Sequence, residues 1–477
     1  MANVKKAVFL SVGEKAIVFV IQFVSSVVLA RLLSPEEIGI FSIGSLILAM
    51  SHALRDLGIT SYLIQERDLT PVRLQTAATI AVIMSWTLGV LTWVASGPVA
   101  AFYREDGIGL VMHVLSINFF LLPFGSVSMA ILKRNLNFDK VVRINLASGT
   151  LQATVSIGLC SMGVGFIGLA WGAVASTTLT VLMTVLMTKR EVPMRVEFSE
   201  WRHILRTGGR FCGSSLLWEF GLSAPEMIVG KAMSIETAGY LARSLGVVGL
   251  AFRSIMEGLT PVLMPAFART HRDGESVADQ FLKSICYLSA LAFPLFACMA
   301  LAMDSIVLLL YSEKWARIIE PARILCVGSA ALTIAVTGAA VVSGTGKSKY
   351  TLRFQLVGQP IKVVLILIGS MYSLDHVAAG IAVGDLLITG YTLMVLRRLI
   401  GFDLSRVGEA LGPSLLVALC AATSCLAFKL AFPHAAPFFG VVGCIIASSI
   451  GWVIGVMVTR HPVGAEVGAV VRRVVRR

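Results

Sequence analysis

The chain has 477 residues, of which 56% are hydrophobic and 14% charged, with a mean hydropathy of +0.84. Soluble domains carry about 25% charge, so this chain could not cover its own surface in water; a soluble enzyme, a disordered chain and a nucleic-acid module are excluded, and a polytopic helical membrane protein remains. The net charge of +13 fits the basic cytoplasmic loops of such a protein better than a nucleic-acid partner.

Apolar runs long enough to span a bilayer recur fourteen times, at 7–30, 37–57, 74–98, 109–132, 144–162, 166–188, 211–230, 238–264, 284–310, 322–343, 353–373, 377–397, 411–431 and 437–459. The first follows Lys5 and Lys6 like a signal peptide, but Glu14, Lys15 and Gln22 interrupt it and it is too long for a signal core, so it reads as a first spanning helix. Ser34-Pro35, Gly97-Pro98, Pro193, Pro433 and Pro437 mark joints. The longest polar insertion, 189–210, leads into Phe211 and sets Trp201, Ile204 and Leu205 among Arg202, Arg206 and Arg210, the pattern of an amphipathic interfacial helix. The GxGxxG string at 163–168 lies between two runs with no strand before it and reads as a tight turn. Gly346-Lys347-Ser348 ends like a phosphate loop, but Val341 stands where the first glycine is required. The eight cysteines make no CxxC and no metal-ligand spacing, so they read as small core hydrophobes. No motif points to nucleotide hydrolysis, covalent catalysis, a metal or a cofactor.

Lys and Arg decide the orientation. With the N-terminus inside, most of them fall in cytoplasmic loops, from Lys5 and Lys6 to Arg476 and Arg477; Arg31, Arg104, Lys231, Lys314, Arg317, Arg323 and Lys429 fall at the opposite ends. This bias predicts an even number of spans and both termini in the cytoplasm.

Residues 13–63 lie over 213–263 without a gap. Gly13 meets Gly213, Ser34 meets Ser234, Glu36 meets Glu236, Gly39 meets Gly239, Gly58 meets Gly258, Thr60 meets Thr260 and Leu63 meets Leu263. A weaker echo sets VAAFYRED (99–106) against IVLLLYSEK (306–314). Six runs separate the copies, so the repeat is parallel. The predicted fold is an all-α membrane protein of about fourteen transmembrane helices. Two parallel six-helix bundles, 1–198 and 199–400, surround a central cavity, the second opening with the amphipathic helix; 401–477 adds a final helix pair and a basic tail. Transporters built this way hold substrate between their halves and alternate access.

Ionisable residues at bilayer depth are costly and usually face a cavity. Of those in the runs, Lys15, Arg55, Arg253 and Lys362 suit an anionic head group, since phosphate oxygens favour charged donors. Glu14, Glu219, Glu226 and Asp385 suit sugar hydroxyls, or H+ or Na+ as a coupling ion. The plainer alternative is that such groups snorkel or neutralise a neighbour, as Arg253 and Glu257 would at i,i+4; the same holds for Asp56, Arg243 and Asp304. An aromatic content of 8% argues against a pocket for drug cations.

The segments LARLLSPEEIGIFSIG (29–44), LRDLGITSYLIQ (54–65) and LKRNLNFDKV (132–141), with ETAGYLARSLGVV (236–248) and LMPAFARTHRD (263–273), resemble the polysaccharide transporter family of the multidrug/oligosaccharidyl-lipid/polysaccharide exporter superfamily. The resemblance implies a non-enzymatic flippase of the bacterial inner membrane, carrying undecaprenyl-pyrophosphate-linked oligosaccharide between leaflets for O-antigen, capsule or exopolysaccharide. Membrane lipids and the pathway's polymerase and glycosyltransferases are the implied partners. A lipid II or cationic-drug transporter of the same superfamily, and a membrane glycosyltransferase or polymerase, are the competing expectations; short outer loops argue against the last. In the second copy Ile235 replaces Pro35, so the two joints need not be equally rigid.

Overall fold

In hydrocarbon every backbone carbonyl must find its donor within the protein. The computed structural model meets this with helices and turns alone among the described residues, which are 2–56, 63, 70–135, 137–188, 196–199, 201–347 and 349–464; at 2–12, 14–16, 50, 52–56, 203–216, 218 and 257–261 the description is of backbone only. In chain order the first helices are α1 (Ala2–Leu32), α2 (Pro35–Asp56), α3 (Pro71–Tyr103), α4 (Asp106–Leu121), α5 (Pro123–Arg134), α6 (Phe138–Ser161), α7 (Ile167–Met187) and α8 (Trp201–Ala232). There follow α9 (Ile235–Arg272), α10 (Val277–Leu301), α11 (Met303–Leu310), a 3-10 turn (Glu313–Ile318), α12 (Ile319–Gly344), α13 (Lys349–Ser370), α14 (Leu374–Ile400), α15 (Leu404–Ala431) and α16 (Pro437–Val458).

Each predicted apolar run coincides with one of these helices or with a broken pair. Among the described residues, eight helices are long and apolar enough to cross a bilayer, or nine with the bent α4–α5 pair counted as one span. The chain is thus a multi-pass membrane protein. Of the helices outside that set, α9 carries Arg243 and Arg253 within its length, α1 is apolar over Ile17–Leu32, and α11 is eight residues long. Residues 201–210, read from the sequence as an amphipathic interfacial helix, form the opening turns of α8, which runs unbroken to Ala232. The glycine string is a turn: Gly163 and Gly165 have φ of 84° and 68°, a conformation that favours glycine, between α6 and α7. The described cysteines are buried or half-buried free thiols.

The chain forms two units, Met1–Gly239 and Tyr240–Arg477. In the first, α1 packs on α6, α6 on α7, α3 on α4 and α2 on α8. Leu74, Ala77 and Ile80 of α3 meet Val127, Ala130 and Ile131 of α5 there. In the second, α12 and α13 pack on α14, and α10 and α16 on α15, over a core that includes Phe267, Phe281, Phe354 and Phe402.

One span is bent, and another, α10, ends at a break before α11; at each a neighbouring helix meets the carbonyls. The chain bends by 56° between α4 and α5. Pro123 has no N–H for the Phe119 carbonyl; the Ser85 hydroxyl of α3 donates to that oxygen at 2.6 Å, and Trp86 Nε1 donates to the Phe120 carbonyl at 3.3 Å. Between α10 and α11, Arg323 Nε donates to the Ala300 carbonyl at 3.2 Å and Lys429 Nζ to the Leu301 carbonyl at 2.8 Å. Ser85→Ala should therefore lower stability by about 1 kcal/mol, by removing a buried hydrogen bond. Adding Pro123→Ala, which restores an N–H, should recover most of the loss. Thermal midpoints in detergent for the two single variants and the double variant test this; additive losses would show that Ser85 does not serve the break.

Candidate functional site

The joint before α2 is a capping box: Ser34 Oγ accepts the Glu37 N–H at 3.2 Å, and Glu37 Oε2 accepts the Ser34 N–H at 2.8 Å. Its repeat before α9 keeps half of this. Ser234 Oγ accepts the Thr237 N–H at 3.1 Å, and Thr237 Oγ1 remains 2.7 Å from Ser234 Oγ. The two caps and the first turns that follow lie within Met1–Gly239, and there the turns meet. A methyl group on Gly39 would overlap the Ile235 carbonyl and stand 3.1 Å from the Gly239 nitrogen. One on Gly239 would overlap the Pro35 carbonyl and stand 3.0 Å from the Gly39 nitrogen. The contact is reciprocal between residues that the sequence repeat pairs, and only glycine permits it. The weaker echo has a structural counterpart too. Of the three non-glycine residues with positive φ among those described, Arg104 (56°) and Ser312 (81°) each follow the echo's tyrosine, Tyr103 and Tyr311.

One turn further along α2, the Ser42 hydroxyl donates to the Glu226 carboxyl of α8, and Ile43 packs onto Gly230. The Tyr103 hydroxyl donates to the Met227 carbonyl at 3.2 Å. Lys231 donates to the Phe102 carbonyl and lies 4.2 Å from the centre of that ring. Glu226 is buried at 9% exposure, and no ion pair reaches it among the described residues.

Among the other predicted site residues, Lys362, Asp385 and Arg253 have described partners. Lys362 of α13 and Asp385 of α14 pair at 2.7 Å, with side chains 16% and 7% exposed. Arg253 is exposed, and its Nε donates to the Gly249 carbonyl of its own helix at 3.3 Å. Glu219 is half-buried. The side chains of Glu14, Lys15, Arg55, Asp56 and Glu257 lie outside the described residues. Asp304 neutralises a neighbour, with Lys429 Nζ 2.7 Å from both carboxylate oxygens.

Sequence reasoning missed three features. Ser42, being uncharged, escaped a search for ionisable groups. Arg243 sits over Tyr311 and Trp315 at 5.7 and 5.8 Å, across elements that lie far apart in the chain. His461, just past α16, is 3% exposed. Its Nδ1 accepts the Val463 N–H at 3.2 Å, so the neutral ring bears its proton on Nε2 and donates to Ser414 Oγ at 3.1 Å. Burial holds that imidazole below the usual histidine range.

Residues 28–320 match the family described as "Polysaccharide biosynthesis protein". The chain belongs to the polysaccharide biosynthesis protein family. Family relatives include a Klebsiella pneumoniae protein described as an uncharacterized membrane protein in the cps region, 25% identical over 71% of this chain and 71% of the relative. The succinoglycan biosynthesis transport protein ExoT of Rhizobium meliloti is 23% identical over 71% of this chain and 68% of its own length. Among solved structures, the lipid II flippase MurJ in an inward closed conformation superposes with a TM-score of 0.78 at 12% identity, covering 95% of this chain and 99% of that one. That likeness establishes a shared fold.

In this polysaccharide biosynthesis protein, Lys362 and Asp385 form a largely buried ion pair whose effect on stability can be measured apart from any role in a substrate path. Lys362→Met alone leaves a buried carboxylate unpaired and should lower stability by about 3–5 kcal/mol, whereas Lys362→Met with Asp385→Leu should recover most of it. Unfolding midpoints and surface-polymer yield check both halves. Restored stability without restored transport would assign the pair to the substrate path instead.

Proposed function

We propose that this chain is a flippase. It moves undecaprenyl-pyrophosphate-linked oligosaccharide from the cytoplasmic to the periplasmic leaflet of the bacterial inner membrane by alternating access, and supplies O-antigen, capsule or exopolysaccharide assembly without forming bonds itself. Family membership and the transport relative from Rhizobium meliloti support the class. The observation that carries the mechanism is the reciprocal Gly39–Gly239 contact. A carrier must close one end of its path before it opens the other. Two helix starts meeting through bare backbone close without interlocking side chains, so they can part without repacking. The serine caps keep each helix start intact while the contact is made and broken.

In this reading both termini are cytoplasmic, and membrane lipids surround the spans. Glycosyltransferases of the pathway supply the substrate and a polymerase consumes it. Lys15, Arg55 and Arg253 are the proposed pyrophosphate contacts, Glu14 and Glu219 the proposed sugar contacts. Deleting the gene should trap lipid-linked repeat units in the cytoplasmic leaflet and strip the surface of polymer; normal polymer in a strain with no redundant flippase would sink the reading. At matched expression Arg253→Lys should keep part of the transport and Arg253→Ala lose most of it, because a loosely held diphosphate needs charge more than fork geometry. Surface polymer measured for the two variants decides it, and parental yield from Arg253→Ala removes Arg253 from the path.

A further inference from the structure

Glu226 is a buried acid without a charged partner among the described residues, placed one turn from the joint contact. Among the described residues, the ionisable groups at this end of α8, α2 and α3 are occupied, exposed or two turns away. On α8, Lys231 is held by Phe102, and Glu219 lies two turns away and half-buried. On α2, Glu37 closes its own cap and Glu36 is exposed; Arg31, at the end of α1, is exposed. At the end of α3 the Tyr103 hydroxyl is spent on the Met227 carbonyl, Arg104 is exposed, and Glu105 caps α4.

A carboxylate left buried in the protein with a single hydroxyl is strongly unfavourable, whereas the neutral acid can both accept from Ser42 and donate. The surroundings suit a donor. Pro225, the preceding residue, has no N–H to offer the Gly221 carbonyl, and the Ser223 hydroxyl, one turn back on the same face, is buried with no hydrogen-bond partner. The repeat does not duplicate the arrangement: Ser26 stands opposite Glu226, and Ala242 opposite Ser42.

We propose that Glu226 is the proton carrier of the transport cycle: as the neutral acid it holds α8 to α2 through Ser42 and keeps the joint closed, and on giving its proton to water it lets the two helices part. The step is Glu–COOH + H2O to Glu–COO− + H3O+, with no change in oxidation state. The proton is preferred to Na+, because a carboxyl in direct contact with one hydroxyl leaves no ring of oxygens to enclose a metal ion. The word transport rests on the flippase reading; the coupling of proton to joint does not.

The test uses the full chain in liposomes with no oligosaccharide added, so it succeeds or fails independently of the substrate. Ile43, fully buried against Gly230, is replaced in Ile43→Cys, and maleimide labelling of the peptide spanning position 43 is read by mass spectrometry with the native cysteines left in place. Labelling should rise about tenfold from pH about 5 to about 8. It should stay at the acid level throughout in the Glu226→Gln background and rise again in the Glu226→Asp background. A Glu226→Gln profile that follows the parent, a parent indifferent to pH, or a parent that responds to Na+ at fixed pH would overturn the proposal. Should Glu226→Gln fail to fold, the unaltered chain gives a second reading. A hydrophobic carbodiimide, which reacts with the protonated carboxyl, should modify Glu226 at acid pH and about tenfold less at alkaline pH; no pH-dependent modification of Glu226 would equally overturn it.

Discussion

A carbonyl freed inside a membrane can be met only by another part of the protein, and the bend at Pro123 and the break at Ala302 show how much follows from that. Ser85 and Trp86 serve the bend at Pro123, and Arg323 and Lys429 serve the break at Ala302. Each donor ties a break to a neighbouring helix, so the bend and the helix pairing are one structural fact. The first tie fixes α3 against α4. The end of α3 then carries Phe102 and Tyr103 to the final turns of α8, where they hold Lys231 and the Met227 carbonyl beside Glu226. The acid is buried because the scaffold around it is already satisfied.

The helices were legible because hydropathy alone dictates where a chain enters hydrocarbon, and each predicted run coincides with a helix or a broken pair. The breaks were not. Pro123 lies inside the run 109–132, and a proline in an apolar run permits a bend without requiring one; Ala302 offers no local signal at all. The glycine turn at 163–168 was readable, since positive φ is a property of residue type. The partners of the charged residues were not, because they come from other helices. Lys362 and Asp385 both stood out, yet nothing in their spacing paired them. Glu219 and Glu226 share a helical face by arithmetic, but Glu226 is distinguished by a neutral serine 184 residues away.

The repeat was the sequence feature with the longest reach. Seven identities locate two joints; the structure adds that they touch through the glycine of each and that the echo's tyrosines each precede a residue with positive φ. What the copies share is backbone geometry, namely a serine cap, a glycine at the crossing and a left-handed residue after a tyrosine. What they do not share is chemistry. Glu37 completes one box where Thr237 leaves the other open, Ser42 stands opposite Ala242, and Glu226 opposite Ser26.

That division has a mechanical reason. Two helix starts can approach and part repeatedly only if the surfaces that meet are small and alike, and at the Gly39–Gly239 crossing the two copies are. A cycle driven in one direction needs something that differs between its two ends, since a fully symmetric device has no preferred state for a ligand to select. An acid held by one copy and absent from the other supplies that difference at its cheapest, in a single hydrogen bond. Placed one turn from the glycines, the bond lies close enough for its loss to be felt at the crossing, while the crossing itself stays bare backbone.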